Sequence, residues 1–210
     1  MEISPKRKFF LNALTEFADD SQEVGNIMLE FCKLVEKSNK LHNLTSIKNL
    51  DDMLVKHVLD SLSIKNFLIG KNILDVGSGA GLPSIPLAVT CPNIEFSLLD
   101  ANNKKVIFLN HVKINLAIKN INPIRARIED FNNETSFDTV ICRSYASLSK
   151  IYINSKKNLK DKGIIIAMKG KIPYQEIEEI ESLNKNVSLK VEKLDVPGLE
   201  AERHAVIIKK

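Results

Sequence analysis

Asp75-Val76-Gly77-Ser78-Gly79-Ala80-Gly81 is the stretch that decides the fold. It continues a short apolar run, Lys71 to Val76, and precedes a segment that is long enough for a helix. Glycine permits positive φ angles and close approach of a ligand to the backbone, so a turn of this kind can hold a nucleotide where a strand meets a helix. A dinucleotide-binding G-x-G-x-x-G pattern needs its third glycine at position 82, whereas this chain has Leu82 there and its third glycine is Gly81. The third glycine therefore argues against a dinucleotide.

Five short apolar runs alternate with helix-length segments, which is typical of parallel βαβ units buried on both faces. The runs are Lys71 to Val76, Ile94 to Leu99, Ile121 to Ile128, Phe137 to Cys142 and Gly163 to Met168. Two more runs, Ser188 to Leu194 and His204 to Lys209, are joined by a stretch too short for a crossover helix, so they predict an antiparallel hairpin. The predicted fold class is α/β: a doubly wound, Rossmann-like sheet of seven strands with an antiparallel last strand. This ending favours the methyltransferase fold over an all-parallel dinucleotide fold.

The residues before position 70 predict helices. Ser21 can cap a long helix, because the apolar residues after it recur at helical spacing. These residues are Val24, Ile27, Met28, Phe31, Leu34 and Val35. A second helix is predicted from near Asp51, and a weaker one over Lys6 to Phe17. Because 210 residues suit one well-buried core, we expect residues 1–66 to form a helical layer packed on a methyltransferase domain at residues 67–210, in one compact unit.

The net charge is +4, which permits an anionic partner without requiring one. Two basic clusters contain few acidic residues. They are Lys104, Lys105, Lys113, Lys119, Arg125 and Arg127, and then Lys156, Lys157, Lys160 and Lys162. Each cluster is either a solvated surface or part of a face that binds an anion. The charge alone leaves these alternatives open.

The composition, with 44% hydrophobic and 27% charged residues, is that of a globular protein. No run reaches the length of a signal-peptide core or of a membrane-spanning helix, so we expect a cytoplasmic protein without a membrane partner. The three cysteines, Cys32, Cys91 and Cys142, are scattered and lack the spacing of metal ligands. We therefore expect reduced cysteines and no metal.

Acidic residues near the strand ends point to one cofactor. Asp75 lies two positions before the glycines and resembles the acid of the methyltransferase loop that holds the amino-acid end of S-adenosylmethionine. Asp100 closes the second predicted strand, where its carboxylate can accept both ribose hydroxyls, although it could instead cap the helix that starts near Asn102. Ile128-Glu129-Asp130 follows the third strand, where methyltransferases of this fold commonly contact adenine; the alternative is a plain loop acid.

Six segments resemble, in chain order, motifs of the ribosomal RNA small subunit methyltransferase G family, which is also called glucose-inhibited division protein B. They are Asn43-Leu44-Thr45, Lys56 to Ser61, Asp75 to Pro83, Arg143 to Leu148, Lys169-Gly170 and Glu202-Arg203-His204. The resemblance covers nearly the whole chain. Ser144 and Tyr145 depart from it, because the family usually has Ala-Phe there, and Cys142 stands where Ser is common.

The resemblance implies an enzyme that transfers a methyl group from S-adenosylmethionine to N7 of one guanine in a decoding-region loop of 16S ribosomal RNA, at position 527. The product of the cofactor would be S-adenosylhomocysteine. The implied partner is 16S ribosomal RNA or the small ribosomal subunit, and we expect a monomer that binds RNA.

Candidate site residues follow from the motifs and the resemblance together. The cofactor-binding candidates are Asp75, Gly77, Gly79, Gly81, Leu82, Asp100, Ile128, Glu129 and Arg143. The candidates for RNA or substrate binding are Asn43, His57, Tyr145, Lys169 and Arg203. Arg143 and Lys169 are the predicted catalytic residues, since a guanidinium can offer a bidentate fork to a phosphate or to guanine O6. The alternative for Arg143 is a surface ion pair.

His57, Asp60 and Ser61 project to one side of a predicted helix, either as a buried cluster or as direct contacts. Tyr145 keeps an aromatic face that could stack on a base. Asn43 could contact RNA or organise a turn. The individual roles of these residues stay open at this point.

Guanine N7 has an unprotonated lone pair and needs no general base, so positioning alone can supply up to roughly 7–11 kcal/mol of the catalysis. Amino-group methylation usually leaves an Asn/Asp-Pro-Pro-aromatic run after the fourth strand, and Cys142-Arg143-Ser144-Tyr145 contains no proline. Cytosine C5 methylation would require Cys142 as a nucleophile. Two further alternatives are a methyltransferase with a different acceptor and a catalytically silent ribosome-binding protein.

Overall fold

A seven-stranded sheet forms the centre of the computed structural model, which describes residues 4–132 and 136–209. The strands are β1 (Asn72–Val76), β2 (Glu95–Asp100), β3 (Ile121–Arg125), β4 (Phe137–Arg143), β5 (Leu159–Lys169), β6 (Ser188–Lys193) and β7 (His204–Lys209). Their order is β3-β2-β1-β4-β5-β7-β6. Strands β1 to β5 are parallel, and β7 runs antiparallel to both β5 and β6. The predicted α/β fold, with seven strands and an antiparallel last strand, is confirmed.

Two strand ends differ from the sequence prediction, and the structure adds the order of the hairpin strands. Strand β3 ends at Arg125 instead of residue 128, and its position at the sheet edge accommodates Pro123. Strand β5 begins at Leu159 instead of Gly163, because its first part is polar and left no apolar run to find. The hairpin partner that lies beside β5 is β7, so β6 forms the other edge.

Among the described residues, eight α-helices connect these strands and cover the sheet. They are α1 (Pro5–Leu14), α2 (Ser21–His42), α3 (Leu50–Met53), α4 (Asp60–Leu62), α5 (Ser84–Thr90), α6 (Asn103–Asn115), α7 (Leu148–Ser155) and α8 (Tyr174–Leu183). Two short 3₁₀ turns cover Lys65–Phe67 and Lys156–Asn158. None of the helices among the described residues combines the length and the apolar character needed to cross a membrane.

The predicted helix starts need correction. Ser21 is the first residue of α2, and Asp20 is its cap, accepting a hydrogen bond from the Glu23 amide at 2.8 Å. Asn49 caps α3, ahead of the predicted start near Asp51. An aspartate or asparagine one or two positions earlier satisfies the free amides equally well, so the spacing of apolar residues could not separate these choices.

A π-helical segment, Leu54–Leu59, joins α3 to α4 without interruption. This segment carries His57, and Asp60 follows it as the first residue of α4. π-helical turns are rare and occur frequently at functional sites. The π-helical segment is therefore a place to look for functional side chains in the N-terminal layer.

Apolar cores fill both sides of the sheet. On one side, Met28 and Phe31 of α2 share a buried cluster with Ile85 of α5 and Leu109 of α6. On the other side, α7 and α8 pack over a second cluster. The described N-terminal helices thus share their core with the sheet.

The chain reverses direction across the sheet between β1 and β4. Strands β2 and β3 lie on one side of β1, whereas β4 and β5 lie on the other. Ligands of open α/β sheets bind in the crevice that forms at the carboxyl ends of the strands at such a point. The residues after Val76 and at Arg143 are therefore the place to look for a site.

Candidate active site

The glycine loop, residues 77–81, turns the chain from β1 towards α5. Gly77, Gly79 and Gly81 have φ angles of +76°, +57° and +88°, a region that side chains with a Cβ atom rarely adopt. The Gly77 amide donates a hydrogen bond to the Leu99 carbonyl oxygen at 2.8 Å. The loop is therefore fixed to β2 and leaves its outer surface open.

A cavity of about 360 Å³ lies over this loop at the ends of β1, β2 and β3. This loop cavity is lined by Gly77, Asp100, Ile128, Glu129 and Tyr145, together with eight other residues. Two members of the first basic cluster, Lys105 and Arg127, are among the eight. The fold thus brings together cofactor candidates that are far apart in the sequence.

Asp100 lies at the centre of the loop cavity's polar wall. Its Oδ2 accepts a hydrogen bond from the Gly79 amide at 3.0 Å, and its Oδ1 accepts one from the Asn102 amide at 2.8 Å. Lys105 Nζ lies 3.4 Å from Oδ2. The cap of α6 is Asn102, not Asp100. Asp100 is therefore a wall of the cavity rather than the cap of the next helix.

Tyr145 forms the opposite wall. A Cβ atom added to Gly77 would lie only 2.4 Å from Tyr145 Cδ2, so the ring is packed directly against the loop. Burial, followed by the charge of Glu129, raises the pKa of Tyr145. Glu129 itself is held by Asn154, whose amide donates to Oε1 at 3.0 Å. Tyr145 thus faces the loop cavity, and not only a site for RNA as its aromatic face had suggested.

Other cofactor candidates lie outside the lining of the loop cavity. Gly79 and Gly81 belong to the loop itself; Gly81 packs against Ile85, and Leu82 belongs to the apolar core. Asp75 is fully buried, and among the described residues neither of its carboxylate oxygens has a hydrogen-bond partner of normal geometry, although the neighbouring Ser84 and Ser78 hydroxyls partly offset the effect of burial on its pKa. Burial raises the pKa of Asp75 to about 7. Arg143 lines a neighbouring cavity instead.

This second cavity, of about 390 Å³, lies at the ends of β4 and β5. This arginine cavity is lined by His57, Asp60, Arg143, Lys169 and Arg203, together with six other residues. Both predicted catalytic residues, Arg143 and Lys169, therefore face one space with two further RNA candidates, His57 and Arg203.

Asp60 holds the two arginines of the arginine cavity. Its Oδ2 accepts a hydrogen bond from Arg143 Nη1 at 2.9 Å, and its Oδ1 accepts one from Arg203 Nε at 2.8 Å. The Asp60 side chain is 4% exposed, while those of Arg143 and Arg203 are 19% and 26% exposed. Because one carboxylate faces two guanidiniums, the cluster has an excess positive charge. The ion pair of Arg143 is therefore internal to the site and not on the surface.

His57 connects Arg143 to the N-terminal layer. Its Nδ1 lies 3.2 Å from Arg143 Nη2, and its Nε2 lies 2.8 Å from Thr45 Oγ1. Nδ1 also lies 3.2 Å from the Lys56 carbonyl oxygen, so a donor, the guanidinium, and an acceptor, the carbonyl, both approach the same ring nitrogen. Burial, followed by the charge of Arg143, lowers the pKa of His57 to about 4. His57 is therefore neutral at pH 7 and orients Arg143.

Lys169 is held by a residue of α8. Its Nζ donates to Glu176 Oε1 and Oε2 at 3.0 and 2.8 Å and to the Ala146 carbonyl oxygen at 3.2 Å. Glu176 also accepts from the Leu148 amide at 2.8 Å. This carboxylate thus links Lys169 to the segment that follows β4.

Ser144 lines both cavities. Its φ angle is +53°, in the left-handed region that non-glycine residues rarely adopt. Such strain is found where the surrounding structure demands a special backbone path, often at active sites. The two cavities are neighbours, because Ser144 lines both of them.

Asn43 lies apart from these two cavities. It is the C-cap of α2, with a φ angle of +47°, and it lines a third cavity of about 830 Å³. This Asn43 cavity also contains Ser46, which lines the arginine cavity as well. The predicted RNA residues are thus divided between adjacent spaces.

Sequence reasoning left three important residues without a role. Asp60 was recognised only as a member of a helical cluster, Glu176 was not singled out, and Ser144 was noted only as a departure from the family. The partners of Asp60 are 83 and 143 positions away in the sequence, which no local pattern could reveal. The short segment containing His57, Asp60 and Ser61 was the one available signal.

Cys142 lies outside the lining of both cavities and is 2% exposed. Burial raises the pKa of its thiol to about 12, so the thiolate needed for nucleophilic attack is disfavoured. Over residues 4–132 and 136–209, the structure shows no group of His, Cys, Asp and Glu that could hold a metal ion.

Comparisons with known proteins identify the family and the fold of this chain. A family model described as rRNA small subunit methyltransferase G matches residues 25–206. The Ribosomal RNA small subunit methyltransferase G of Legionella pneumophila strain Philadelphia 1 is 42% identical over 202 residues, covering 96% of this chain and 94% of that protein. The protein of the same name from Salmonella arizonae is 42% identical over 205 residues, covering 95% of this chain and 98% of that protein.

Solved structures show the same fold at low sequence identity. The glycopeptide N-methyltransferase MtfA complexed with S-adenosylmethionine superposes with a TM-score of 0.61 at 9% identity, covering 72% of this chain and 86% of that chain. The Thermus thermophilus 16S rRNA N2 G1207 methyltransferase, in complex with AdoMet and guanosine, gives a TM-score of 0.54 at 18% identity, covering 72% and 43%. The structural likeness establishes the fold, and the sequence matches establish the family: this chain belongs to the rRNA small subunit methyltransferase G family.

Proposed function

We propose that this protein is an S-adenosylmethionine-dependent methyltransferase that modifies N7 of one guanine in 16S ribosomal RNA, the guanine at position 527 that the family resemblance implies. The observation that carries the proposal is the contact of two unlike cavities at Ser144. The loop cavity has the carboxylates of Asp100 and Glu129 beside a glycine loop, with basic residues around them, whereas the arginine cavity has a larger excess of guanidinium and ammonium groups over its single carboxylate, Asp60. This division fits a nucleoside cofactor on one side and an anionic nucleic acid on the other.

The residues of the loop cavity fit S-adenosylmethionine. An ionised carboxylate offers about four lone-pair sites, and two of those on Asp100 are taken by backbone amides, so ribose hydroxyls can use the rest. Gly77 leaves the backbone open where a Cβ atom would fill the space beside Tyr145. Ile128 and Glu129 line the far end, where the adenine is expected. The bound cofactor supplies an electrophilic methyl group on its sulfonium.

Asp75 fits the same cofactor less directly. Its buried carboxylate has the Ser84 and Ser78 hydroxyls as neighbours but, among the described residues, no hydrogen-bond partner of normal geometry. A buried carboxylate of this kind is stabilised by a cationic group nearby. We assign it to the amino-acid end of the cofactor, where it would act through the loop.

The chemistry of N7 fits the arginine cavity. Guanine N7 already carries a free lone pair, so the site has to position the base and does not have to remove a proton. The buried acid of this cavity, Asp60, is engaged with two guanidiniums, and His57 is neutral and hydrogen-bonded at both nitrogens. The arrangement is therefore suited to orientation, which can supply several kcal/mol, roughly 7–11 at best.

Arg143 and Lys169 are the groups that we place against the target base. Asp60 and His57 fix the guanidinium of Arg143 at the end of β4, so its donors are preorganised for guanine O6 or a phosphate. Lys169, at the end of the neighbouring strand β5, is fixed by Glu176 of α8. Arg203 and Asn43 are assigned to RNA phosphates or flanking bases, and Tyr145 to the wall between the base and the cofactor.

We also propose that residues 1–66 and 67–210 act as one unit, with residues 1–3, 133–135 and 210 outside the described part of the chain. The shared core of Met28, Phe31 and Ile85 supports this. We further propose a cytoplasmic monomer that needs no metal and that acts on 16S ribosomal RNA or the small ribosomal subunit.

The burial and raised pKa of Cys142 weigh against cytosine C5 methylation. A methyltransferase for a small molecule would leave the excess charge of the arginine cavity without a purpose. A catalytically silent binding protein would not need the preserved loop cavity. The N7 assignment is therefore preferred over these alternatives.

The test is transfer of a labelled methyl group from S-adenosylmethionine to small ribosomal subunits, and to free 16S ribosomal RNA, that lack the modification. The proposal predicts 7-methylguanosine as the product nucleoside, identified by mass, and its loss in Arg143→Ala. Cofactor binding without methylation of either substrate, or a different methylated nucleoside, would refute it.

A further inference from the structure

We propose that the Asn43 cavity binds a nucleotide that flanks the target guanine in the RNA. This inference rests on the proposed function and extends it to a second subsite. The cavity is adjacent to the arginine cavity, because Ser46 lines both. An RNA strand with one base in the arginine cavity therefore meets the Asn43 cavity next along its path.

The wall of the Asn43 cavity is fixed before RNA arrives. The side chain of Asn39 donates to the Thr45 carbonyl oxygen at 2.8 Å and accepts from the Thr45 amide at 2.9 Å. The Ile47 amide donates to Thr45 Oγ1 at 3.1 Å. These three hydrogen bonds hold residues 45–47 against the end of α2. A preformed cavity of this kind loses little entropy when a ligand binds.

The chemistry of the lining suits a nucleotide. Asn43 is exposed in the left-handed conformation at the end of α2, where its amide can offer a donor and an acceptor to the edge of a base. Lys40 and Lys48 are exposed at the rim and can each contact a phosphate. Glu36 also lines the cavity, and the carboxyl end of α2 has a partial negative charge, so phosphates belong outside, at the two exposed lysines, and the base belongs at Asn43.

The cavity is connected to the reacting region by hydrogen bonds. Thr45 lines the Asn43 cavity and bonds through Oγ1 to His57 Nε2 at 2.8 Å. His57 Nδ1 in turn lies 3.2 Å from Arg143 Nη2. A nucleotide that contacts Thr45 and its neighbours would therefore also stabilise the orientation of Arg143. The flanking nucleotide thus helps to select the correct guanine.

The experiment measures binding of a 16S ribosomal RNA fragment to the S-adenosylhomocysteine complex over a range of salt concentrations. Each lost phosphate contact reduces the slope of log affinity against log salt by about 0.7–0.9. We expect this reduction in Lys40→Ala and in Lys48→Ala. Lys33→Ala is the matched control, because Lys33 lies on the same helix but outside the cavity and pairs with Glu30 at 2.7 Å.

A wild-type slope in both cavity variants, or an equal reduction in Lys33→Ala, would overturn the inference. Loss of binding to assembled subunits with unchanged binding to the RNA fragment would also overturn it, since the occupant would then be a ribosomal protein. Failure of the proposed function looks different. In that case the wild-type protein binds RNA without forming 7-methylguanosine, whatever the slopes of the variants.

Discussion

The loop cavity and the arginine cavity meet at Ser144, yet they are built by different physical means. The loop cavity depends on backbone geometry: glycines at positive φ angles and amides that hold Asp100. The arginine cavity depends on side chains from three distant segments, which Asp60 holds together by ion pairs. The first is therefore sensitive to the addition of atoms, and the second to changes in charge.

The largest effect is expected for Asp60→Ala. This change leaves two largely buried guanidiniums facing each other without their carboxylate, and breaking a buried pair in this way costs about 3–5 kcal/mol. The free energy of unfolding, measured by urea denaturation, should fall by an amount of this order. The matched control is Asp52→Ala, because the Asp52–Lys56 pair is exposed and such pairs contribute about 0–1 kcal/mol. Equal losses in the two variants would contradict a special role of Asp60.

The next effect is a dependence of stability on pH. The unfolded chain protonates His57 near pH 6.5, whereas the folded protein does so only near pH 4. The unfolded state therefore binds the extra proton as the pH falls through this window. The free energy of unfolding decreases by up to about 3 kcal/mol as a result. The difference in unfolding free energy between wild type and His57→Gln should change by this amount between pH 7 and pH 4. A difference that stays constant with pH would show that His57 is not buried in its neutral form.

Asp75, beneath the loop cavity, should have the opposite pH dependence. Its pKa is raised from 3.8 to about 7, so the folded state loses stability as the pH rises through this window. This contribution is common to the wild type and the His57 variant and cancels in their difference. Asp75 and His57 thus change the stability of the fold with opposite signs as the pH falls.

Asp100→Asn tests the loop cavity. Replacing the carboxylate removes charge-assisted hydrogen bonds to the ribose, each worth about 1.5–3 kcal/mol, so the dissociation constant of S-adenosylhomocysteine should rise about 10- to 100-fold. Titration calorimetry measures this change. The control is Asp138→Asn, whose carboxylate binds backbone amides of Lys71 and Asn72 at the other end of β1. Unchanged affinity in Asp100→Asn would remove this residue from the cofactor site.

The smallest effect is expected for Tyr145→Phe. The ring packs against Gly77, and the phenylalanine ring has the same shape, so turnover should stay within about threefold of the wild type. Tyr145→Ala, by contrast, removes a wall of the loop cavity and should reduce turnover more. Steady-state methyl transfer compares the two variants, and a large loss in Tyr145→Phe would assign a role to the hydroxyl.

Much of the fold could be predicted, because parallel strands and the glycine loop leave local patterns. The five parallel strands, the antiparallel hairpin that follows them and the family were all confirmed. The start of β5 at Leu159 was missed because its first residues are polar, and the caps Asp20 and Asn49 were missed because neighbouring residues cap equally well.

The two cavities differ in how many of their residues the sequence could identify. Contiguous residues, such as Gly77, or a residue at a strand end, such as Asp100, could be identified from spacing alone. The function of Asp60 and Glu176 depends on partners that only the folded chain brings near. Charge pairing over long sequence distances leaves no local pattern, so these residues had to come from the structure.

The most direct test of the division between the two cavities uses Arg143→Lys, which keeps the charge but not the planar fork. Single-turnover methyl transfer to 16S ribosomal RNA is measured beside the affinity for S-adenosylhomocysteine. Our account predicts a rate at least about 100-fold lower, as for loss of a preorganised donor, with cofactor affinity within about threefold of the wild type. A loss of cofactor affinity equal to the loss of rate would contradict it, because Arg143 would then belong to the cofactor site.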